Sequence, residues 1–393
     1  MLTLDVSTDF NALEDQHSSG VTLKRDLQIV RGEGAYLYDA DGRRYIDCVG
    51  GQGAANLGHC HPAVVAAVHT QAGQLISCPE LFHNPVRARY QAALCAAAGM
   101  RRVFLCNSGA EAVEAALKFA RLSTGRPGII STMRGFHGRT LGALSATWEK
   151  SYREPFQPLL PGVVHVPYNH LERLAEALDD TVGAVLVEVV QGEGGVHPAH
   201  DGYLQGVQAL CHERGALLIV DEVQTGFGRT GWLFAHQQDG IQPDLLCVAK
   251  SMAGGLPMGA VLIGERVGTL PPASHGSTFG GNPLACAAGL AALNVLQTTD
   301  LIPRARERGQ ALREYLQTHL PERAARDVRG RGLLIGVELR GKVAPVLKAL
   351  QARGVLALPA GATVLRLLPP LVIQDDDLWR AADIIVEVLS AES

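Results

Sequence analysis

Two uninterrupted apolar runs, Leu217-Leu218-Ile219-Val220 and Leu245-Leu246-Cys247-Val248-Ala249, each give way abruptly to a charge, Asp221 after the first and Lys250 after the second. Short runs without polar alternation suit strands buried on both faces, the situation of a parallel sheet covered by helices. Gly128-Thr132 and Ala184-Val190 read the same way, with helical segments between the runs. The expected class is therefore α/β with a mostly parallel sheet. Such sheets bind ligands in the crevice beyond the carboxyl ends of their strands, where Asp221 and Lys250 would stand. Taken alone, an aspartate and a lysine at strand ends are equally well explained as a structural ion pair.

Two further segments bear on that choice. Cys106-Asn107-Ser108-Gly109-Ala110-Glu111 leaves the apolar Val103-Leu105 and opens a run in which Val113, Leu117 and Ala120 recur at helical spacing. Ser108 is a suitable N-cap, and the free N–H groups of that first turn could hold a phosphate. His275-Gly276-Ser277-Thr278-Phe279-Gly280-Gly281-Asn282-Pro283 puts two hydroxyls in a glycine-rich loop ahead of another small-residue helix. Singly, each reads as an ordinary cap or turn.

The chain has 393 residues, 47% of them apolar, enough for a large core and more than one domain. Residues 1–50 read as an irregular arm and a small β-meander, with Asp41-Gly42 as the tight turn between Ala35-Tyr38 and Tyr45-Cys48. Residues 51–300 form the large α/β domain, and 301–393 a smaller α+β domain ending in an amphipathic helix. A net charge of −4 provides no basic field for nucleic acid. The eight cysteines show no Cys-x-x-Cys spacing, so no metal is expected, and His59-Cys60-His61 reads as structural. Asp5, Asp9 and Glu14 interrupt any signal-like start, and no apolar run reaches membrane-spanning length. A cytoplasmic protein is expected.

In combination the segments are specific: Asn107-Ser108-Gly109-Ala110-Glu111-Ala112, Phe136-His137-Gly138-Arg139-Thr140, Gln191-Gly192-Glu193-Gly194-Gly195, Asp221-Glu222-Val223-Gln224-Thr225-Gly226, Lys250, and Ser277-Thr278-Phe279-Gly280-Gly281-Asn282-Pro283. From about Val30 to Val388 the chain resembles the class III, or ornithine-type, aminotransferases of fold type I, which depend on pyridoxal 5'-phosphate. The resemblance implies that Lys250 carries the cofactor as a Schiff base and serves as general base, and that Asp221 keeps the pyridine nitrogen protonated. It implies that Gln224 bonds the ring's phenolic oxygen and that Phe136 and Val223 flank the ring. Ser108, Gly109 and Ala110 would hold the phosphate together with Thr278 of a second copy, so a homodimer with shared sites is expected. For substrate, Arg139 is similar to the arginine that binds a carboxylate, a task suited to its planar fork. Ser277 belongs with it. Glu193 looks like a switch glutamate that covers a second arginine, Arg366, in Val364-Leu365-Arg366-Leu367-Leu368-Pro369-Pro370. An unpaired charge in so apolar a strand would be costly, so a carboxylate partner is expected.

The reaction implied is ping-pong, with glutamate leaving as 2-oxoglutarate and an amino-semialdehyde substrate receiving the amine. Residues Val49 to His59, Met133-Arg134-Gly135-Phe136, Ala146-Thr147-Trp148 and Leu367 to Leu371 are similar to the lysine-biosynthetic branch, whose aminoadipate semialdehyde is joined to an acidic amino-group carrier protein. The alternatives are an acetylornithine aminotransferase of arginine biosynthesis, or one enzyme serving both. An aminomutase or decarboxylase on the same scaffold, and a non-catalytic cofactor-binding protein, are disfavoured by Glu193 with Arg366 and by the full set of cofactor residues. A carrier partner predicts a basic rim, with Arg87, Arg89, Arg101, Arg102 and Arg134 as candidates.

Overall fold

In the computed structural model, which describes residues 9–391, the Leu217–Asp221 and Leu245–Val248 strands lie side by side and parallel. They are central in a seven-stranded sheet whose order, by first residue, is Arg102, Gly259, Leu245, Leu217, Val182, Gly128 and Val163. Only Gly259–Ile263 runs against its neighbours. Alternate residues feed two cores: Leu218, Val220, Leu246 and Val248 face one, Leu217, Ile219, Leu245 and Cys247 the other. That division is why the runs are apolar throughout rather than alternating.

Helix Gly109–Thr124 covers one face with Ala112, Ala116 and Phe119. It ends at Gly125, whose φ of 68° is the left-handed conformation glycine adopts most easily. Helices Pro85–Ala98 and Pro283–Thr298 cover the other face. They approach so closely that a Cβ on Gly289 would lie 2.6 Å from the Tyr90 ring.

The expected meander forms strands Ile29–Glu33, Tyr36–Asp39 and Arg44–Asp47, with Gly42 at φ 81° in the tight turn. Val355–Leu356 joins it in parallel with Arg44–Asp47. A second sheet contains Ala325–Arg331, Leu334–Leu339, Val364–Leu367 and Leu358–Ala360. Ala35, Ile46 and Cys48 from the start of the chain share one core with Leu312, Ile335, Leu365 and Ile385 from its end. The chain's end thereby returns Arg366 to the large sheet's crevice.

Sequence patterning missed three elements. The arm carries a helix, Phe10–His17, started by Asp9, which accepts from the Ala12 N–H at 3.0 Å; none of its residues is buried, so no apolar stripe announces it. Val163–Val166 is a four-residue edge strand interrupted by His165. Gly259–Ile263 follows a glycine-rich turn that reads as loop. Among the described residues no single helix is long and apolar enough to cross a membrane.

Candidate active site

Lys250 begins the short helical turn Lys250–Ala253 beyond its strand, and its φ of 50° is an uncommon conformation for a residue with a side chain. The turn is secured by Ser251, whose hydroxyl donates to the Gly53 carbonyl at 2.7 Å. A Cβ on Gly53 would sit 3.7 Å from Gln224 Cγ and 3.8 Å from Lys250 Cδ, so this loop walls the lysine. Burial holds the Lys250 ammonium below the usual lysine range; Arg366 acts in the same direction, while Glu193, Asp221 and Glu188 oppose it. A lysine disposed to be neutral at the end of a buried strand is a potential nucleophile and base.

Asp221 is buried, accepting from His137 Nδ1 at 2.8 Å and from the Val223 N–H at 2.9 Å. His137 is buried too, and its Nε2 has no partner among the described residues. Across the sheet Glu188 is the register partner of Asp221. It accepts the N–H groups of Phe136 at 3.1 Å and Gly192 at 3.3 Å. Burial pushes the Glu188 carboxyl up to about 7, with the Asp221 charge adding to the rise and His137 opposing it.

The carboxylate partner that Arg366 requires is Glu193, Nη1 to Oε1 at 2.7 Å. The same nitrogen donates to Gln224 Oε1 at 3.1 Å. Arg366 is 3% exposed and Glu193 36%, so an enclosed cation is covered by a carboxylate that reaches solvent. Gly192 allows the close fit, since a Cβ there would fall 2.1 Å from Gln224 Oε1.

Ser108 caps helix Gly109–Thr124, accepting from the Glu111 N–H at 3.2 Å. In this first turn Gly109 and Ala110 have N–H groups with no preceding helical carbonyl to bond. A Cβ on Gly109 would meet Val223 Cγ1 at 2.7 Å, which sets Val223 against the turn. Ser277 accepts from Asn107 Nδ2 at 3.1 Å and from the Gly280 N–H at 3.0 Å, and no bond joins it to Lys250, Glu193 or Arg366. Its placement is beside the capped turn. Thr278 is exposed.

Arg139 is exposed, with its guanidinium carbon 3.4 Å from the Tyr152 ring centroid and 5.6 Å from that of Phe136. The stacking presents a free fork near the Phe136 loop. Of the basic-rim candidates, Arg87 is buried and donates to the carbonyls of Cys78, Gly281, Pro79 and Phe82, which makes it a loop clamp. Arg101 pairs with Glu265, and Arg102 donates to the carbonyls of Val267 and Gly268. Arg134 packs against the Gln191–Gly195 loop, its carbonyl 2.2 Å from where a Gly194 Cβ would be. His59 bonds Asp47 at 2.7 Å and His61 caps a helix.

His137 and Glu188 are the main residues that sequence reasoning did not assign. Glu188 carried a signal, since it is an acidic residue at the end of seven consecutive buried positions, Val182–Glu188. Arg229 was missed as well. It is fully buried and donates to Asn56 Oδ1, the Leu333 carbonyl and the Pro369 carbonyl, tying the Lys250 wall to the C-terminal segment.

The whole architecture has counterparts. The family model "Aminotransferase class-III" matches residues 19–389. An acetylornithine aminotransferase of Bacillus cereus is 42% identical over 94% of this chain and 96% of its own length. A [LysW]-aminoadipate semialdehyde transaminase of Deinococcus radiodurans is 46% identical over 96% of this chain and 90% of its own. Among solved structures, the ornithine aminotransferase of Toxoplasma gondii crystallized with oxidized glutathione, whose active site is partially occupied by PLP, superposes with a TM-score of 0.94 at 37% identity, covering 98% of this chain and 94% of that one. The chain belongs to the class III aminotransferases.

Proposed function

We propose that this aminotransferase uses pyridoxal 5'-phosphate, the cofactor of its family, to move the amino group of glutamate onto the semialdehyde of an α-N-blocked diamino acid precursor. The donor set fits the group: a lysine disposed to be neutral, a buried carboxylate held by His137, and a capped helix start with free N–H groups. Lys250 would hold it covalently, Asp221 its ring nitrogen, Gln224 its phenolic oxygen, and Phe136 and Val223 its two faces. Ser108, Gly109 and Ala110 would hold its phosphate. When bound, pyridoxal phosphate supplies an electron sink that acidifies the substrate's C–H bond.

The protein's own residues supply the rest. Lys250 Nζ, kept short of protons by burial, accepts the substrate proton and returns it one position away. Asp221, fixed by His137 and the Val223 N–H, would meet the ring nitrogen. Arg139 binds the carboxylate of the blocked substrate. Glu193 covers Arg366 while that substrate is bound and uncovers it for the α-carboxylate of glutamate. The Arg366–Glu193 bond at 2.7 Å carries this reading, because a two-substrate site needs one cation that can be shown or hidden.

A homodimer completes the site. Leu81 is 82% exposed, and Phe82 and Phe279 are each 61% exposed. Arg87 ties these segments together through the carbonyls of Cys78 and Gly281. Exposed apolar groups around the Thr278 loop support burial against a second copy, with Thr278 reaching the other copy's phosphate turn.

For the substrate, the 46% identity to the Deinococcus radiodurans transaminase supports the semialdehyde of carrier-linked aminoadipate, in lysine synthesis. The second reading is acetylornithine, supported by several relatives of that name at 41–44% identity. The deciding experiment runs the reaction in reverse with 2-oxoglutarate and compares kcat/KM for N-acetylornithine and for lysine joined through its α-amine to the carrier. Preference for the conjugate assigns the lysine role, preference for acetylornithine overturns it, and similar values mean one enzyme serves both.

A further inference from the structure

The loop Gln191–Gly195 is held along its backbone at both ends. Gln191 is buried, and its Nε2 donates to Thr132 Oγ1 at 2.9 Å and to the Met133 carbonyl at 2.8 Å. Gly192 donates its N–H to Glu188 Oε1 at 3.3 Å. At the far end the Gly195 carbonyl accepts from Arg329 Nε at 3.0 Å and Nη2 at 2.7 Å, and Arg329 is itself matched by Asp327 and Glu338. Glu193 is the exception. Its side chain is 36% exposed, and among the described residues its one bond is to Arg366. A cover on so fixed a backbone moves as a side chain, and its resting place is set by the backbone beneath it.

Glu188 ties that backbone to the rest of the site. Its second oxygen accepts the Phe136 N–H at 3.1 Å, so one carboxyl joins the loop bearing Glu193 to the loop bearing a proposed ring-face residue. The strand Val182–Glu188 is apolar up to this position, and Asp221 is its register partner on the neighbouring strand. Burying one carboxyl beside another is costly, and an apolar side chain would fill the position without that cost. None of the roles given to Lys250, Asp221, Gln224, Arg139 or Arg366 uses it.

We propose that Glu188 is a positioning residue for the two-substrate switch: by holding the Gly192 and Phe136 N–H groups together, it keeps Glu193 in register over Arg366. No bond joins Glu188 to Arg366, and it acts through Glu193. Without the clamp the cover rests over Arg366 for a smaller share of the time, and the balance shifts toward the uncovered state. The proposal rests on the switch reading above.

The test uses the cofactor-loaded enzyme at pH 8, above the value of about 7 to which burial raises the Glu188 carboxyl. Single-turnover measurements compare N-acetylornithine with glutamate in the wild type, Glu188→Gln, Glu193→Ala and the double variant. Calorimetry follows glutarate, a dicarboxylate with no amine to transfer, which binds without turnover and needs an uncovered Arg366. Glu188→Gln should lower the ratio of N-acetylornithine to glutamate reactivity about threefold to tenfold and tighten glutarate by a similar factor, the range of one N–H bond. Any loss that arises through Phe136 is common to both donors and cancels in the ratio. In the Glu193→Ala background Glu188→Gln should move neither quantity further, the non-additivity of residues that act in series. Glu188→Asp keeps the charge but withdraws it by one methylene, and should shift both quantities in the same direction. An unchanged ratio and glutarate affinity in both Glu188 variants, or shifts that persist undiminished without Glu193, overturn the proposal. If Glu193→Ala itself changes neither quantity, the switch reading fails and this one falls with it. Where N-acetylornithine turns over too slowly to measure, the glutarate affinities decide alone.

Discussion

Arg366 Nη1 lies 2.7 Å from Glu193 Oε1, although the arginine comes from the C-terminal sheet and the glutamate from a loop beyond the large one. Neither residue needs the other for its own element to form. Arg366 could have been apolar at little cost to its strand, since its neighbours Leu365 and Leu367 are buried leucines. Enclosing a cation and covering it with a half-exposed carboxylate makes sense if the cover is removable, because one site must take two substrates with carboxylates at different places.

Glu193→Ala should therefore change the two half-reactions unequally. With Arg366 always uncovered, the blocked ω-amine donor should lose kcat/KM by about tenfold to a hundredfold, the range of one charged hydrogen bond, while glutamate loses much less. Single-turnover measurements of each half-reaction would show it. Equal losses in both would mean that Glu193 is structural.

On the proposed roles, Lys250→Ala removes the proton acceptor as well as the covalent hold. Turnover should fall by at least about 10²–10⁴, and the visible absorption band of the cofactor-loaded enzyme should vanish. Retention of the band would place the attachment elsewhere.

Arg139 is positioned by stacking rather than by an ion pair, its guanidinium carbon 3.4 Å from the Tyr152 ring centroid. Arg139→Ala should raise KM for the blocked substrate about tenfold or more with little change in kcat. Tyr152→Leu should raise it only about threefold, since a cation–π contact of this exposure contributes about 0.5–1 kcal/mol. Unchanged KM in both variants would remove Arg139 from the site.

The sequence carried the parts of this arrangement that leave a local trace. Asp221 and Lys250 were visible because charge following an apolar run is abrupt, and Ser108 because caps have a signature. Arg366 was visible because a cation among leucines demands a partner. Glu188 left a trace, an acid ending an apolar run, but nothing local tied it to Asp221, since only parallel strand pairing brings the two level, and His137 looks ordinary in its own segment. Arg87 misled for the same reason, since its carbonyl partners lie on a separate loop and a distant helix start. The hidden strand Val163–Val166 owes its state to a neighbour already in the sheet rather than to its own pattern, whereas Gly259–Ile263 carries an apolar run, Ala260 to Ile263, of the kind that suits a buried strand.

Glu188 should make the cofactor-free protein's stability depend on pH. Its carboxyl is raised from the ordinary 4.5 to about 7, so the folded state binds that proton more tightly than the unfolded chain. The stabilisation is complete below about 4.5 and is lost as pH rises through about 7, roughly 3 kcal/mol in all by linkage. Glu188→Gln stays neutral at every pH and should gain on the wild type by that order between pH 5 and 8. Urea unfolding at both values, at one protein concentration, would check it. A constant difference between the two proteins would mean that Glu188 does not titrate in this window.

Arg229 holds three segments with one side chain. It donates to Asn56 Oδ1 at 2.6 Å, the Leu333 carbonyl at 3.0 Å and the Pro369 carbonyl at 2.5 Å, with none of its surface exposed. Arg229→Ala leaves those three acceptors buried without that donor and opens a cavity, which together should cost about 3–5 kcal/mol. The loop from Gly50 to Asn56 also walls Lys250, so the variant should lose cofactor affinity along with thermal stability, although Arg229 is bonded to none of the proposed cofactor residues. Calorimetry and equilibrium titration with pyridoxal phosphate would test both losses. A destabilised variant with unchanged cofactor affinity would show that the wall keeps its shape without Arg229, leaving the Ser251 bond to Gly53 as its main support.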